Sequence, residues 1–327
     1  MTDNGITYIT DDIVQVQIPL PYALNIVNCY LLRGDTGWTM VDSGLNTPPA
    51  QSQWKSALNH LNITPDDIEK IVISHMHPDH FGMAGWWQTL VDTPMPVYVP
   101  IGEKQQMDMF YDSDNADDFY SWLVMGGMDD GHSRDVADGF NQTRNAAKPY
   151  PIRQDFIYPD QMITLGSRQF KMIHTPGHSD GQLMFYDEAD ELLLSGDHVL
   201  MKITPNVGTW PQTEPNPLGR FMDSLQSLTD LNVKQALPGH KWLITDWRGR
   251  VEEIIIHHKL RLIHTLDAID ADTQTVYDIS RKVFPIDRFS LHEMRFAMAE
   301  TLAHLDLLEI QGKVTHDNGD VRRYQLI

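Results

Sequence analysis

The order of apolar and polar positions divides the chain into three stretches. In the first, strand and helix patterns alternate. Residues 13–18 alternate apolar and polar side chains with period two, the signature of a half-buried strand. Residues 27–32 and 38–41 are two more strand candidates, separated by a turn containing Gly34, Asp35 and Gly37. Pro48 and Pro49 open a helix that runs to about Leu61, since proline costs nothing in a first helical turn. Thr64-Pro65-Asp66-Asp67 has the capping pattern that starts a short second helix, and residues 71–74 read as a short buried strand.

The second stretch, 101–145, loses the strand signal. Acids (Asp108, Asp112, Asp114, Asp117, Asp118, Asp129, Asp130) mix with Met107, Met109, Phe110, Phe119, Tyr120, Trp122, Met125 and Met128 at spacings of three and four. That spacing predicts amphipathic helices. Strands return at 156–158, 162–165, 169–174, 182–186 and 191–195. Leu218, Phe221, Met222, Leu225, Leu228 and Leu231 then mark one face of a helix. After His240 the pattern predicts helices at 248–270, 276–283 and 291–308. A hairpin follows at 313–327 around Asp317-Asn318-Gly319-Asp320. Three helices and a hairpin predict a winged-helix-like domain at 248–327. It follows a first domain, 1–247, that carries a helical insertion at 101–145. The pattern has no internal repeat and no low-complexity linker.

Composition narrows the chemistry. The chain has 327 residues, 41% hydrophobic and 21% charged, as in an ordinary globular protein. It has 15 His but a single Cys, Cys29, so an intrachain disulfide is impossible and a thiolate-rich zinc site is excluded. Any bound metal must take His and carboxylate ligands. Lys and Arg number 25 against 45 Asp and Glu, a formal charge of −20, which repels polyanions and weighs against nucleic acid or an anionic membrane as partner. Residues 1–12 have neither a basic region nor an apolar core segment, and runs such as 254–256 fall far short of the ~18 residues of a membrane span. The expectation is a soluble, cytoplasmic protein.

The most informative segment is Ser74-His75-Met76-His77-Pro78-Asp79-His80. Residues two apart on a strand face the same way, so His75 and His77 can point at one ion. A turn at Pro78 can bring Asp79 and His80 toward a second. A polar loop with chance histidines would explain one His, but not this density of ligands behind a buried strand. Imidazole and carboxylate suit zinc first, and manganese or iron as well.

His75-Met76-His77-Pro78-Asp79-His80 resembles the His-x-His-x-Asp-His motif of the metallo-β-lactamase superfamily. Further segments resemble the family's landmarks in the family's order: Val41-Asp42-Ser43-Gly44, His174-Thr175-Pro176-Gly177-His178, Ser195-Gly196-Asp197 and Pro238-Gly239-His240. The landmarks cover 42–240, nearly all of the first domain. The resemblance implies an αββα sandwich of the α+β class and a site for two divalent metal ions. It assigns His75, His77 and His178 to one ion, Asp79, His80 and His240 to the other, and Asp197 to the bridge. Asp42 is expected to accept a hydrogen bond from a ligand imidazole, with a turn-capping role as the alternative. Asp79 and Asp42 are the candidate catalytic residues, with Asp79 or a metal-bound water as proton carrier.

The implied reaction is hydrolysis of a small-molecule substrate, with a metal-bound hydroxide attacking an activated acyl carbon in a thioester, ester or lactone. The pattern resembles the hydroxyacylglutathione hydrolase branch. One alternative is a phosphodiesterase or ribonuclease using the same metals; a weaker one is a non-catalytic binding module. The would-be recognition helix of the C-terminal domain argues against nucleic acid, because Arg295 stands there against Glu293, Glu300, Asp306 and Glu309. The 101–145 insertion is expected either to wall the site as a lid or simply to pack on the sheet. Trp210, in the proline-rich loop 202–217, is expected to touch substrate or to pack. His198 is expected to face the site or to pack, and Cys29 to be a core residue.

Overall fold

Residues 5–112, 116–317 and 319–327 are described by the computed structural model; Asp114, Asn318 and the first four residues, on which some of these expectations fall, lie outside them. The first sheet is built from β1 (Ile6–Tyr8), β2 (Ile13–Pro19), β3 (Ile26–Arg33), β4 (Trp38–Val41), β5 (Ile68–Val72), β6 (Val97–Pro100) and β7 (Gln154–Ile157), in that spatial order. Helices α1 (Pro48–Leu61), α2 (Pro78–Phe81), α3 (Ala84–Gln88), α4 (Lys104–Asp112), α5 (Ala116–Met125) and α6 (Asp130–Asn145) lie between its strands in sequence. The second sheet has the order β12-β11-β10-β9-β8, from β8 (Met162–Leu165), β9 (Arg168–His174), β10 (Leu183–Asp187), β11 (Leu192–Gly196) and β12 (Gln235–Pro238). Helix α7 (Pro217–Leu228) precedes β12 and α8 (Trp247–Asp267) follows it. The chain ends in β13 (Gln274–Thr275), α9 (Val276–Val283), α10 (Leu291–Ile310), β14 (Val314–His316) and β15 (Arg323–Leu326).

Period-two alternation decides the layering. On β3, Val27, Cys29 and Leu31 face α1 to α4, while Tyr30 and Leu32 face the second sheet. On β10, Leu183 and Phe185 meet them from the other side, and Met184 and Tyr186 point outward to α7 and α8. Each central strand is thus apolar on both faces, and the result is four layers, αββα. Cys29 is a fully buried core residue. At ~25 cal/mol per Å² of apolar surface, these layers supply most of the stabilisation of the fold.

The element boundaries differ from the sequence expectation in two instructive places. The short second helix is a single 3-10 turn, Pro65–Asp67, whose Thr64–Asp67 capping box closes on itself before Ile68 enters β5. Strand β5 ends at Val72 rather than at Ser74; Ile73 N still donates to Tyr98 O of β6 (2.9 Å), and the backbone then turns into the His75–His80 loop.

The helical insertion does not stand apart. Phe119, Trp122, Leu123 and Val136 of α5 and α6 share one apolar core with Ile279, Met298, Leu302 and Leu305 of α9 and α10. The insertion and the C-terminal elements together form a roof over one edge of the sandwich. Helix α8 is shared: Val251, Ile254 and Ile255 pack on the second sheet's helix layer, and Leu262 and Leu266 reach the roof core. Strand β15 pairs with both β13 and β14 in a small antiparallel sheet. Among the described residues, no helix is long and apolar enough to cross a membrane.

Candidate metal centre

Strand direction places the candidate residues. Strands β4 and β5 run parallel, as do β11 and β12, and β9 runs the same way as β11 because each is antiparallel to β10. The C-terminal ends of these five strands therefore lie along one edge. Asp42 follows β4, the His75–His80 loop follows β5, His178 lies past β9, Asp197 follows β11 and His240 lies past β12. Bonds between the two sheets fix that edge. Asn28 Nδ2 donates to Pro238 O (3.0 Å) and Lys241 O (3.1 Å), Tyr30 Oη donates to Pro238 O (2.7 Å), and Leu183 N donates to Ser74 O (2.9 Å).

All seven expected ligand residues converge. Ligand atoms of three sets lie within 4.8 Å of one another: His75, His77 and His178; His75, His80 and Asp197; and Asp79, His80 and His240. Asp197 sits between the ends, its Oδ2 3.8 Å from His178 Nε2 and 3.2 Å from His240 Nε2. Asp79 Oδ2 is also 3.2 Å from His240 Nε2. The tight turn of α2, with Pro78 in its first turn, swings Asp79 and His80 back from the line of His75 and His77. Gly239 makes room for this, since a Cβ there would stand 2.2 Å from Asp197 Oδ1.

The outward ring nitrogens are tied down. His80 Nδ1 lies 2.8 Å from Asp42 Oδ2, His178 Nδ1 2.8 Å from Asn206 O, and His240 Nδ1 2.7 Å from Ile26 O. Asp42, held at φ 60° past β4, also accepts from Ser74 N and Ser74 Oγ at 2.8 Å each, and Ser74 Oγ lies 3.0 Å from His75 Nδ1. A ring whose Nδ1–H donates outward presents its Nε2 lone pair inward. Among the described residues, His80 Nε2, His178 Nε2, His240 Nε2 and Asp197 Oδ1 are buried and make no well-directed hydrogen bond, these side chains meeting one another and Asp79 only at ion-pair distances of 3.2–3.9 Å. Orphaned, converging acceptors in a dry site are costly unless a cation takes them. The donor set therefore fits divalent metal.

Electrostatics divide the cluster. Burial, and then the neighbouring imidazoles, push His75 well below the ordinary histidine value; burial and His178 push His77 down to about 3; burial lowers His178. That end holds neutral imidazoles, the form that ligates metal. At the other end burial also opposes charge, but Asp197, Asp42 and Asp79 outweigh it at His80 and hold its pKa up. Asp197 and Asp79 likewise raise His240 to about 10. In return His80 and His240 hold Asp79 and Asp197 well below the usual carboxylate range, against their burial. Two buried carboxylates thus draw positive charge to this end of the site, which protons or cations can supply.

A cavity of about 410 Å³ opens onto the cluster, within the range of small-molecule sites. His77, Asp79, His178, Asp197 and His240 lie on its floor, and Met76, Leu24 and Ile203 line it from the sandwich. Met109, Phe110, Phe119 and Phe140 come from the insertion, Trp210 from the loop after Asp197, and His292, Arg295 and Phe296 from α10. The insertion and Trp210 therefore both line the cavity and pack: Trp210 lies 5.6 Å from Phe296 and 6.2 Å from Phe119. His198 turns the other way, with its Nε2 2.9 Å from Ser224 Oγ and its ring against Phe221.

Sequence reasoning missed Ser74, Asn206, Glu103 and the α10 residues. Buried Glu103 accepts from Ser179 Oγ (2.6 Å) and Gly181 N (2.9 Å), bracing the loop that carries His178. Ser74 adjoins the motif and was the one findable by position; carbonyl partners such as Ile26 O and Asn206 O leave no residue-type signal.

Comparison with known proteins agrees with the geometry. The family model described as the metallo-beta-lactamase superfamily matches residues 23–241, and one described as the metallo-beta-lactamase-like C-terminal domain matches 262–327. The chain is 26% identical to the probable metallo-hydrolase YqjP of Bacillus subtilis, over 94% of this chain and 95% of that protein. It resembles the crystal structure of a metallo-beta-lactamase family protein from Thermus thermophilus with a TM-score of 0.88 and 31% identity, covering 98% and 100% of the two chains. A beta-lactamase domain protein from Burkholderia ambifaria superposes with a TM-score of 0.87 at 25% identity, over 99% of this chain and 95% of that one.

Proposed function

The chain belongs to the metallo-beta-lactamase superfamily and is a metal-dependent hydrolase; from that premise we propose that it uses two divalent ions to hydrolyse an activated acyl compound, a thioester, ester or lactone. The observation that carries this reading is the set of converging, unpartnered Nε2 and carboxylate atoms whose opposite ends are tied by Asp42, Asn206 and Ile26. On this reading His75, His77 and His178 hold one ion, Asp79, His80 and His240 hold the other, and Asp197 bridges them. Zinc suits these donors best, with manganese or iron as alternatives. Such a pair supplies a water of lowered pKa as nucleophile and polarises the carbonyl under attack.

The chain's own residues do the rest. Asp42 keeps His80 in one tautomer and, through Ser74, orients His75. Asp79 is the more exposed of the two carboxylates at the cluster and lines the cavity, so with the ions bound it, or a metal-bound water, would relay the proton released on attack toward the leaving group. Met76, Met109, Phe110, Phe119 and Phe140 hold an apolar acyl part and exclude bulk water. We read the chain as a catalytic domain, 1–247, interrupted by the 101–145 insertion, followed by a winged-helix-like domain, 248–327. The order α8, β13, α9, α10, β14, β15 supports that reading. Within the superfamily, the combination of Asp79 and His80 with an acyl-sized apolar cavity favours the hydroxyacylglutathione hydrolase-like branch.

Metal analysis of purified protein tests the centre: about two ions per chain are expected, and less than one ion per chain would sink it. The same metal-loaded preparation is then offered thioesters, esters, lactones, β-lactams and phosphodiesters. Turnover confined to phosphodiesters overturns the acyl reading.

A further inference from the structure

The cavity holds one feature that metal chemistry does not use. Among the described residues that line it, Arg295 is the only Lys or Arg. It is only 8% exposed. Its Nη2 donates to His292 Nδ1 at 3.2 Å, and among the described residues it has no carboxylate within ion-pair distance and its Nε has no hydrogen-bond partner. The guanidinium lies over Phe296 at 4.7 Å and Phe140 at 5.5 Å. His292 is stacked on Tyr22 at 4.3 Å, and Tyr22 Oη bonds Thr143 Oγ1 at 3.0 Å, so the acceptor that orients the fork is itself fixed. Burial and then Arg295 push His292 down to about 4, which leaves it neutral and able to accept.

A desolvated cation with no carboxylate at ion-pair distance is expensive, and the two rings and the more distant charge of Asp79 offset only part of the cost. Burial draws Arg295 itself down to about 10, still charged at neutral pH. Charge, planarity and free donors on an apolar wall describe an anion subsite. Asp118 and Glu293 line the same cavity and disfavour a dianion, so a single carboxylate fits better than a phosphate.

We propose that Arg295 binds a carboxylate of the substrate, which makes the substrate an ester, thioester or lactone with an apolar body and an anionic group distant from the scissile carbonyl. This rests on the acyl-hydrolase reading above, and its test separates the two.

The probes are 4-nitrophenyl monoesters of dicarboxylic acids in a series of chain lengths. Each is paired with the 4-nitrophenyl ester of the monocarboxylic acid of the same length. For at least one length the metal-loaded enzyme should favour the anionic ester by about tenfold or more in kcat/KM, mainly through KM. Arg295→Met should bring that ratio close to one, and Arg295→Lys should lower it only in part. A wild-type ratio near one at every length, or a ratio that survives in Arg295→Met, overturns the proposal and leaves Arg295 as a packing residue. If neither ester is turned over, the acyl reading falls, and calorimetry with free dicarboxylates and monocarboxylates judges the subsite. Dicarboxylates binding about tenfold more tightly support it, and equal affinities overturn it. Calorimetry on the wild type also decides the matter if Arg295→Met does not fold.

Discussion

The floor and the roof of the cavity are built on opposite principles. The floor is polar, buried and hydrogen-bonded: four strand ends deliver seven ionisable side chains, and Asp42, from a fifth, joins Ser74, Asn206 and Ile26 in holding the imidazoles from behind. The roof is apolar and helical: Phe119 and Phe140 of the insertion pack with Trp210 in a core shared with α9 and α10, and Phe110, packed on the first sheet's core, meets Phe140 at 4.9 Å. The floor depends on directed bonds, which are intolerant of displacement. The roof depends on packing, which tolerates substitution of shape and size. On the proposed reading the floor carries the chemistry and the roof selects the substrate. The two meet at Asn206, whose carbonyl accepts from His178 while its amide donates to Phe296 O (3.2 Å) and Glu300 Oε2 (3.1 Å) on α10.

The largest effect is expected from removing the residue between the two ligand sets. Asp197→Ala should leave the far-ultraviolet circular dichroism of the folded chain and eliminate turnover, together with at least one bound ion per chain. Retained activity would refute its bridging role. Next comes the support beneath the floor. Asp42→Ala strips acceptors from His80 Nδ1, Ser74 N and Ser74 Oγ at once. A loss of about 10–100-fold in metal affinity or activity is expected, with about 1–3 kcal/mol of stability. Competition with a chelator and denaturant titration measure the two; a change in neither would reduce Asp42 to a turn cap.

The joint between floor and roof is tested by Asn206→Ala, which leaves the carbonyl to His178 but frees the loop from α10. A drop of roughly tenfold in kcat/KM, at the low end for an outer partner of a ligand, is expected. An unchanged rate would mean that the roof does not help to aim His178.

The smallest effect lies within the roof. Burial raises Glu300 from 4.5 to about 7. A carboxyl whose folded pKa is raised contributes stability that is full below about 4.5 and is lost as pH rises through 7. Glu300→Gln keeps an acceptor for Asn206 and removes that loss. The variant should melt a few degrees above the wild type at pH 8 and at about the same temperature near pH 4.5. A difference that does not depend on pH would assign the effect to packing instead.

Much of the floor was legible in the residue order. His75, His77, Asp79 and His80 stand so close together that one loop must carry them all, whereas the αββα sandwich and the ligand roles of His178, Asp197 and His240 were readable only through the family resemblance. The first is a local statement, and period and spacing are local properties. The limit of that legibility is visible at Ser74, expected in a strand and found in the loop, and at His198, which adjoins Asp197 yet faces α7.

What only the tertiary structure decided is which surfaces meet. The helical pattern of 101–145 and the three C-terminal helices were each readable, but not that they share one core above the candidate ligand cluster, because the apolar stripe of a helix does not name its partner. Nor did the sequence single out Arg295. On α10 it looked like one base against four acids on a would-be recognition helix, and only packing against Phe140, from a segment far away in the chain, turned it into a buried charge facing the cavity. Ligand identity follows from side-chain chemistry, which the sequence contains. The surroundings that tune a charge come from folding distant segments together, which it contains only implicitly.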